Sequence, residues 1–275
     1  MRIVRNEAFI KRRIRFTQRG TLIGMVLLAA SFLLSTRQQI LISWLLLIVG
    51  YIIAMAAVRV GNRYVRPPRR DHVLDRLLKG LDNKYALFHY ALPAEHLLLT
   101  PSGLITILPR EQRGQITVRG GRWQQRPLWQ KLRLLLGDAG LGNPARELRQ
   151  QIAQVTPILE ELPGKGGEIP VDGLIVFYSG KTTLDVEDAE FPVLLPEDLK
   201  AAVRKVAESH PAMPRDVHKA LAAKLRGEEA TEVEPTEEEA EEQEEAPTKG
   251  SAAAAAALAS GRKRRRKKKH QARES

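Results

Sequence analysis

Two uncharged apolar segments near the start of the chain constrain its fold most strongly. Residues 21–35 and 40–58 contain no charged side chain, and only residues 36–39 separate them. A helix needs roughly 20 residues to cross the ~30 Å hydrocarbon core of a bilayer. The second segment meets this length, and the first falls slightly short unless Gly20 and Thr36 are included. Because the bilayer core offers backbone groups no water, both segments must be helical there. The pattern predicts a transmembrane hairpin.

Basic residues beside the segments predict the orientation of this hairpin. Residues 1–19 carry seven lysines and arginines and residues 59–70 carry five, whereas the connecting loop has only Arg37. Since cytoplasmic flanks hold the excess of Lys and Arg, we expect a multi-pass cell-membrane protein with both termini in the cytoplasm. A signal peptide followed by a buried core helix is the alternative. The second apolar run follows at once without a convincing small-residue cleavage site, which favours the hairpin.

Composition limits the chemistry that the rest of the chain can perform. At 275 residues, the chain has room for the hairpin and one soluble domain of ordinary size. It has no cysteine, which excludes disulfides, thiolate metal sites and thiol nucleophiles. The net charge of +12 is unevenly distributed, so it must be interpreted segment by segment.

Changes in composition divide the chain into five predicted regions. These are a basic cytoplasmic arm (1–19), the hairpin (20–58, with spans 21–35 and 40–58), a basic linker (59–70), an α/β domain (71–208) and a disordered charged tail (209–275). In the tail, residues 228–245 hold eleven glutamates, and residues 262–269 are eight consecutive basic residues. Such blocks cannot bury enough apolar surface to offset the entropy cost of ordering.

Hydrophobic periodicity predicts a mixed α/β fold for residues 71–208. Apolar residues at helical spacing predict a short helix over 71–81. Asn143 and Pro144 have the residue types of a helix N-cap and first helical position, and the helix should run to about 162. The predicted strands are 85–92, 95–99, 104–108, 115–118, 171–178 and 191–195, and a final helix covers 196–207.

An ordered set of short motifs follows the first predicted helix. Glu95-His96 opens an apolar strand, Pro101-Ser102-Gly103 forms a turn into a second apolar strand, and Arg113-Gly114 and Gly121-Arg122-Trp123 come next. The order and spacing resemble the nuclease-related domain (NERD) family, and the likeness covers roughly residues 71–207. The resemblance implies a restriction-endonuclease-like fold. It also implies a site in which acidic residues and a lysine hold a divalent metal and activate water.

Carried over by position, this resemblance places the helix acid at Asp71 and the strand acid at Glu95. The family's Glu-x-Lys pair falls on Leu108 and Arg110, which is a departure. Magnesium takes oxygen ligands, usually from carboxylates, and leucine supplies none. A guanidinium stays protonated, so Arg110 cannot accept a proton. Asp71, Glu95 and Arg110 are therefore expected to be vestiges of a catalytic site, with no bound metal and no cofactor. Magnesium is implied only if the chain is an active nuclease.

The distribution of acids gives an independent check on the missing ligand. Between Asp82 and Asp138 the only carboxylates are Glu95 and Glu111. Glu111 lies three residues beyond Leu108, so strand alternation would direct it to the opposite face. Metal-dependent hydrolysis is therefore expected to be disabled.

Two basic segments are candidates for binding polyanions. The first, interleaved with Trp123 and Trp129, comprises Arg110, Arg113, Arg119, Arg122, Arg126, Lys131 and Arg133. Arginine and aromatic side chains suit nucleic acid, and near a membrane the same cations suit anionic lipid. A solvated loop with both tryptophans in the core remains the third reading. The second segment lies in the tail and comprises Arg262, Lys263, Arg264, Arg265, Arg266, Lys267, Lys268 and Lys269. It should bind polyanions non-specifically or serve only solubility.

These features predict a membrane-anchored cytoplasmic domain that is catalytically inactive and binds nucleic acid or another polyanion near the membrane. Two alternatives stay open. One is an active metal-dependent nuclease that retains Asp71 and Glu95. The other is a membrane scaffold whose soluble domain binds a protein partner of unknown identity.

Overall fold

Two long helices precede a mixed α/β domain in the computed structural model, which describes residues 1–126, 140–160, 169–226 and 231–232. The helices are α1 (Glu7–Thr36), α2 (Ile40–Tyr64), α3 (Arg70–Leu78), α4 (Pro144–Glu160), α5 (Leu199–Ser209) and α6 (Arg215–Arg226). The strands are β1 (Arg2–Arg5), β2 (Ala86–His89), β3 (His96–Leu99), β4 (Leu104–Arg110), β5 (Gly114–Arg119), β6 (Arg122–Arg126), β7 (Val171–Phe177), β8 (Thr182–Val186), β9 (Val193–Leu194) and β10 (Thr231–Glu232).

Helices α1 and α2 are both long and apolar enough to cross a membrane. With 30 and 25 residues they extend well beyond the two uncharged segments. The backbone N–H of Phe9 donates to the Asn6 side chain at 2.8 Å, so the cap of α1 lies fifteen residues before residue 21. The length that the first apolar segment lacked is therefore supplied by helix that continues toward the N-terminus.

Small residues let α1 and α2 pack closely. A Cβ added at Gly24 would lie 2.8 Å from the Cβ of Ala54, so only glycine fits at this crossing. Near the turn, Ser31 Oγ donates to the carbonyl of Ser43 and Ser43 Oγ donates to the carbonyl of Ser31, both at 2.8 Å. Close backbone approach and reciprocal hydrogen bonds of this kind hold helices together where apolar burial gives little driving force.

The domain is built on a seven-stranded sheet with the strand order β10-β1-β2-β3-β4-β7-β9. Strand β1 lies parallel to β2, and β4 lies parallel to β7 in the centre of the sheet. A second sheet has the order β6-β5-β8. Mixed α/β content is thus confirmed.

Side-chain alternation along the strands divides the core into two layers. Leu87, Leu98 and Ile107 pack with residues of α3 and α5 on one face of the large sheet. On the other face, one cluster joins Phe88 and Leu97 to residues of α4 and α6. A further cluster joins the far ends of β4 and β7 to β5 and α4. Polar residues on β1, β2 and β4 follow the same alternation, and this decides which of them can meet.

The structure corrects the predicted domain boundaries at both ends. Residues 1–19 are not a separate arm, because Arg2–Arg5 form a strand inside the large sheet and α1 begins at Glu7. The predicted tail begins too early, because α6 buries Leu221 and Leu225 in the core and Thr231–Glu232 pair with β1. Residues 233–275 lie outside the described residues. The predicted linker 59–70 shortens to residues 65–69, since α2 continues to Tyr64.

We predict that the domain folds without the outer part of the hairpin but not without its ends. A Cβ at Gly20 would lie 2.9 Å from Ala57, so the helices are in contact there and a short Gly-Ser linker can replace residues 22–55. This shortened chain should be soluble and melt cooperatively by circular dichroism. A chain of residues 66–226 lacks β1 and should aggregate or fail to fold. Equal melting temperatures for the two chains would contradict the role assigned to the chain ends.

Candidate functional site

The three residues predicted as catalytic vestiges lie near the ends of neighbouring elements. Asp71 is the second residue of α3, Glu95 directly precedes β3, and Arg110 is the last residue of β4. Asp71 and Arg110 are buried, and Glu95 is largely so. Each has an oppositely charged partner, and those partners determine what the site can do.

Asp71 is held by arginines from two different segments. Arg69 donates to both carboxylate oxygens, at 2.6 and 3.2 Å, and Arg5 Nε of β1 lies 3.2 Å away. Burial has the largest single effect and raises the pKa of Asp71, but the charges of Arg69, His89, His72 and Arg5 together outweigh it, so the net pKa is lowered. Asp71 is therefore a paired, ionised carboxylate.

Glu95 is held by the C-terminal end of α2. Arg63 donates to Glu95 Oε1 from Nε at 3.0 Å and from Nη2 at 2.7 Å, and the Tyr64 hydroxyl donates to the same oxygen at 2.8 Å. Burial has the largest single effect and raises the pKa of Glu95, but the surrounding charges, Arg63 first, and the Tyr64 hydrogen bond together outweigh it, so the net pKa is lowered. Arg70 Nη1 lies 3.9 Å from the other oxygen.

Arg110 is not on a binding surface. Its side chain is only 4% exposed, and Nη2 donates to Glu147 Oε2 at 2.5 Å. Glu147 also accepts from Arg63 at 3.1 Å, so two arginines and two glutamates, counting Glu95, form one network. Arg110 must be removed from the predicted polyanion surface.

Glu147 is the functional-site residue that sequence reasoning missed. It lies in the first turn of α4, after the cap in which the backbone N–H of Arg146 donates to Asn143 at 3.0 Å. An acid in the first turn of a helix is ordinarily explained by its favourable interaction with the helix dipole. The sequence around Glu147 therefore did not indicate that it pairs with Arg110.

The position that the resemblance assigns to the second acid is part of the core. Leu108 is fully buried among residues of β5, β7 and α4. Glu111 follows the end of β4, is about half-exposed, and lies 4.0 Å from Arg113. Among residues 1–126, 140–160, 169–226 and 231–232, no group of three or more His, Asp or Glu is arranged to hold a metal ion.

A buried histidine pair lies on the α3 side of the sheet. His89 Nε2 is 2.8 Å from Asp75 Oδ1, and its Nδ1 is 2.8 Å from Nδ1 of His96. Arg5 donates to the second oxygen of Asp75 at 2.6 Å. Burial, with a contribution from His89, lowers the pKa of His96 to about 3. His96 is therefore neutral near pH 7. In the contact between the two Nδ1 atoms, one histidine ring must donate the hydrogen bond and the other must accept it.

The remaining residues of the predicted polyanion surface divide into two sets. Arg113, Arg119, Arg122 and Arg126 are exposed on or beside the β5–β6 hairpin, although Arg119 lies 3.5 Å from Asp185 and 3.6 Å from Glu187. Trp123 is half-buried, with its ring 6.4 Å from that of Phe177, so it belongs to the core edge. Lys131, Arg133 and the residues from Arg262 to Lys269 lie outside the described residues.

An open polar cleft of about 490 Å³ lies beside the Arg63–Glu95 pair. Helix α4 contributes Arg146, Gln150, Gln151 and Gln154 to its wall. Its two arginines and two glutamates balance in charge, so the cleft does not favour an anion.

No family model, curated protein or solved structure matches this chain. The resemblance to the nuclease-related domain family therefore rests on the sequence motifs.

We predict that Arg110 acts on stability and that Arg113 does not. Arg110→Gln leaves Glu147 with one partner fewer in a partly buried place, and it should lower the free energy of unfolding by about 2 to 3 kcal/mol. The matched exposed changes Arg113→Gln and Arg122→Gln should stay within about 0.5 kcal/mol. Thermal unfolding of the full chain in detergent checks this order. An unchanged free energy of unfolding in Arg110→Gln would contradict a stabilising role for the Arg110–Glu147 pair.

We predict that stability falls as the pH drops below 6.5. Histidine titrates near 6.5 when unfolded, whereas His96 has a pKa of about 3 in the fold. Between these two pKa values the unfolded chain binds more protons than the folded chain. The free energy of unfolding is therefore highest above pH 6.5 and declines by up to about 1.4 kcal/mol per pH unit below it. His218, whose pKa burial also lowers, adds to the decline.

Melting temperatures between pH 7 and pH 5 measure this dependence before the carboxylates titrate. His96→Asn should flatten it, and His210→Asn, a change at a half-buried contact with Asp172, should not. An unchanged slope in His96→Asn would show that His96 is not the group responsible.

Proposed function

We propose that this chain is a membrane-anchored, NERD-like domain that binds nucleic acid or a similar polyanion at the cytoplasmic face of the cell membrane and does not hydrolyse it. The observation that carries the proposal is that arginines pair with Asp71, Glu95 and Glu147. The restriction-endonuclease-like fold belongs to the same proposal. The α/β domain, with helices on both faces of its large sheet, and the ordered motifs support it.

Exposed apolar side chains on the hairpin support the membrane placement. Leu41 is 87% exposed, Phe32 71% and Trp44 62%, and they belong to a band of exposed apolar residues that covers both helices. An exposed apolar surface of this kind indicates contact with a membrane or a partner. From Gly20 to Thr36, α1 rises about 24 Å, and from Ile40 to Val58, α2 rises about 27 Å, close to the ~30 Å thickness of the hydrocarbon core.

The connections at the base of the hairpin support an orientation with both ends on one side. Strand β1 precedes α1 and α3 follows α2, and both are parts of the same domain. The excess of basic residues at this base favours the cytoplasm.

The ion pairs argue against metal-dependent hydrolysis. Such a site gathers carboxylate oxygens around a divalent cation. Here Arg63 donates to both Glu95 and Glu147, so a guanidinium already lies where the two carboxylates converge. A divalent ion would have to displace it against the further charge of Arg110.

The exposed arginines of β5 and β6 support polyanion binding. Arg119 pairs with Arg122 across the hairpin, and Gln115 pairs with Arg126, so cations lie near both ends of one exposed strand pair. Arginine forks bind phosphate oxygens in pairs. The half-buried Trp123 weakens the prediction of base stacking, so backbone phosphates are the favoured contact.

One set of assays on the full chain in zwitterionic lipid nanodiscs tests both parts of the proposal. We expect no cleavage of single- or double-stranded DNA or RNA with Mg²⁺ or Mn²⁺. Binding should weaken with salt, and Arg122→Gln/Arg126→Gln should lower the slope of log affinity against log salt by about two. A chain ending at Val233 separates the contribution of the tail.

Each failure has a distinct meaning. Cleavage that disappears in Glu95→Gln would establish the nuclease alternative, whereas cleavage that persists in that variant would indicate a contaminant. Absence of any nucleic-acid binding would overturn the binding function and favour the protein scaffold.

A further inference from the structure

The part of α1 between β1 and the apolar band carries a row of exposed cations. Lys11, Arg12, Arg15 and Arg19 are all exposed, and no ion pair joins any of the four to an acid within the described part of the chain. The sequence contains no Asp or Glu from residue 8 to residue 70. We name these four residues the cationic stripe.

The packing of α1 on α2 shows which way the stripe faces. Gly20 lies against Ala57, Gly24 against Ala54, and a Cβ at Gly61 would lie 2.8 Å from Thr17. Thr17, Gly20 and Gly24 thus mark the α2-facing side of α1. Successive residues turn by about 100°, which puts Arg12, Arg15 and Arg19 on the opposite side.

The same outward side of α1 becomes apolar immediately beyond the stripe. Leu22, Val26 and Leu33 lie on it and are all exposed. Phe16, which lies between Arg15 and Arg19 in the sequence, is 51% exposed. Exposed aromatic rings are typical of the membrane–water boundary. One helix side therefore presents cations and then hydrocarbon, which matches the order of headgroup and acyl chain in a phospholipid.

The acids nearest the base of the hairpin have arginine partners outside the stripe. Glu7 lies 3.9 Å from Arg5, Arg69 holds Asp71 and Arg63 holds Glu95. The stripe consequently has an unbalanced positive charge, and it extends for about 12 Å from Lys11 to Arg19 at 1.5 Å per residue. This length matches a layer of headgroups rather than a single point contact.

We propose that the cationic stripe binds the headgroups of anionic phospholipids in the cytoplasmic leaflet. The inference rests on the proposed membrane placement and adds the lipid class and the residues that select it. Each basic side chain near an anionic surface strengthens binding by about fivefold at low salt. The stripe thereby enriches anionic lipid around the hairpin on the side of α1 that faces away from α2.

Native mass spectrometry of the full chain in detergent micelles tests the site. The probe is dioctanoyl phosphatidylglycerol, and dioctanoyl phosphatidylcholine is its zwitterionic control. We expect phosphatidylglycerol to bind in preference to phosphatidylcholine. Arg12→Gln/Arg15→Gln/Arg19→Gln should weaken phosphatidylglycerol binding by about fivefold or more, since each lipid brings one negative charge. The charge-preserving Arg→Lys triple should retain most of it.

Arg113→Gln/Arg122→Gln/Arg126→Gln is the matched control, with the same loss of charge on a different surface. This control should leave lipid binding unchanged and weaken oligonucleotide binding. The stripe variant should weaken lipid binding and leave oligonucleotide binding unchanged. Excess inorganic phosphate should not displace the lipid, because the acyl chains also contribute to its binding. Melting temperatures of all variants establish that each chain is folded.

Equal phosphatidylglycerol binding by the wild type and the folded stripe variant would overturn this inference. A stripe variant that loses oligonucleotide but keeps lipid would assign the stripe to nucleic acid instead. Alkaline extraction of cell membranes separates the two levels of the proposal. A chain that resists extraction but ignores phosphatidylglycerol refutes only the lipid site, and a chain that is extracted refutes the membrane placement itself.

Discussion

The ion pair between Arg63 and Glu95 is the contact on which the arrangement of hairpin and domain depends. Glu95 is mostly buried, and an ionised carboxylate in such a place is costly unless it is paired and hydrogen-bonded. Its partners, Arg63 and Tyr64, are the final two residues of α2. The end of the second long helix is therefore held against β3, and α2 cannot rotate without separating the mostly buried carboxylate of Glu95 from both partners.

A second set of contacts holds the other end of the hairpin. Arg5 reaches Asp71 and Asp75, and Asn6 caps α1 one residue later. Phe9 stacks on Tyr90 at 5.4 Å and meets Tyr64 edge-on at 5.7 Å, so aromatic rings fill the space between the two helix ends. The hairpin is thus part of the architecture of the domain rather than an anchor attached by a flexible linker. The pairs that make this possible also engage the acids that a hydrolase would offer to a metal.

Local sequence signals were sufficient for much of the fold. The two apolar helices, the Asn143 cap and five strands of the large sheet (β2, β3, β4, β7 and β9) were readable from periodicity and capping residues. Strand β1 was not, because its four residues are too few for a period and pair only through tertiary contact with β2. Helix α6 could have been found, since Val217, Leu221 and Leu225 recur at every fourth position before the acidic block.

The candidate site was less predictable than the fold. The buried position of Arg110 could have been inferred, since it shares strand parity with the apolar Leu104 and Leu108. Its partner Glu147 comes from a helix far along the chain, and only the packing of α4 on β4 brings the two together. The contact between His89 and His96 likewise requires the β2–β3 pairing. Long-range charge pairing has no period, so single-residue patterns do not reveal it.

A double-mutant cycle between Arg63 and Glu95 tests the central claim most directly. The free energies of unfolding of the full chain, Arg63→Gln, Glu95→Gln and the double variant would be compared in one detergent. Because the two side chains are in direct contact and largely shielded from water, the account predicts a coupling energy of about 1.5 to 3 kcal/mol. Additivity of the two single changes within about 0.5 kcal/mol would show that the pair does not hold the hairpin to the domain, and would contradict the account.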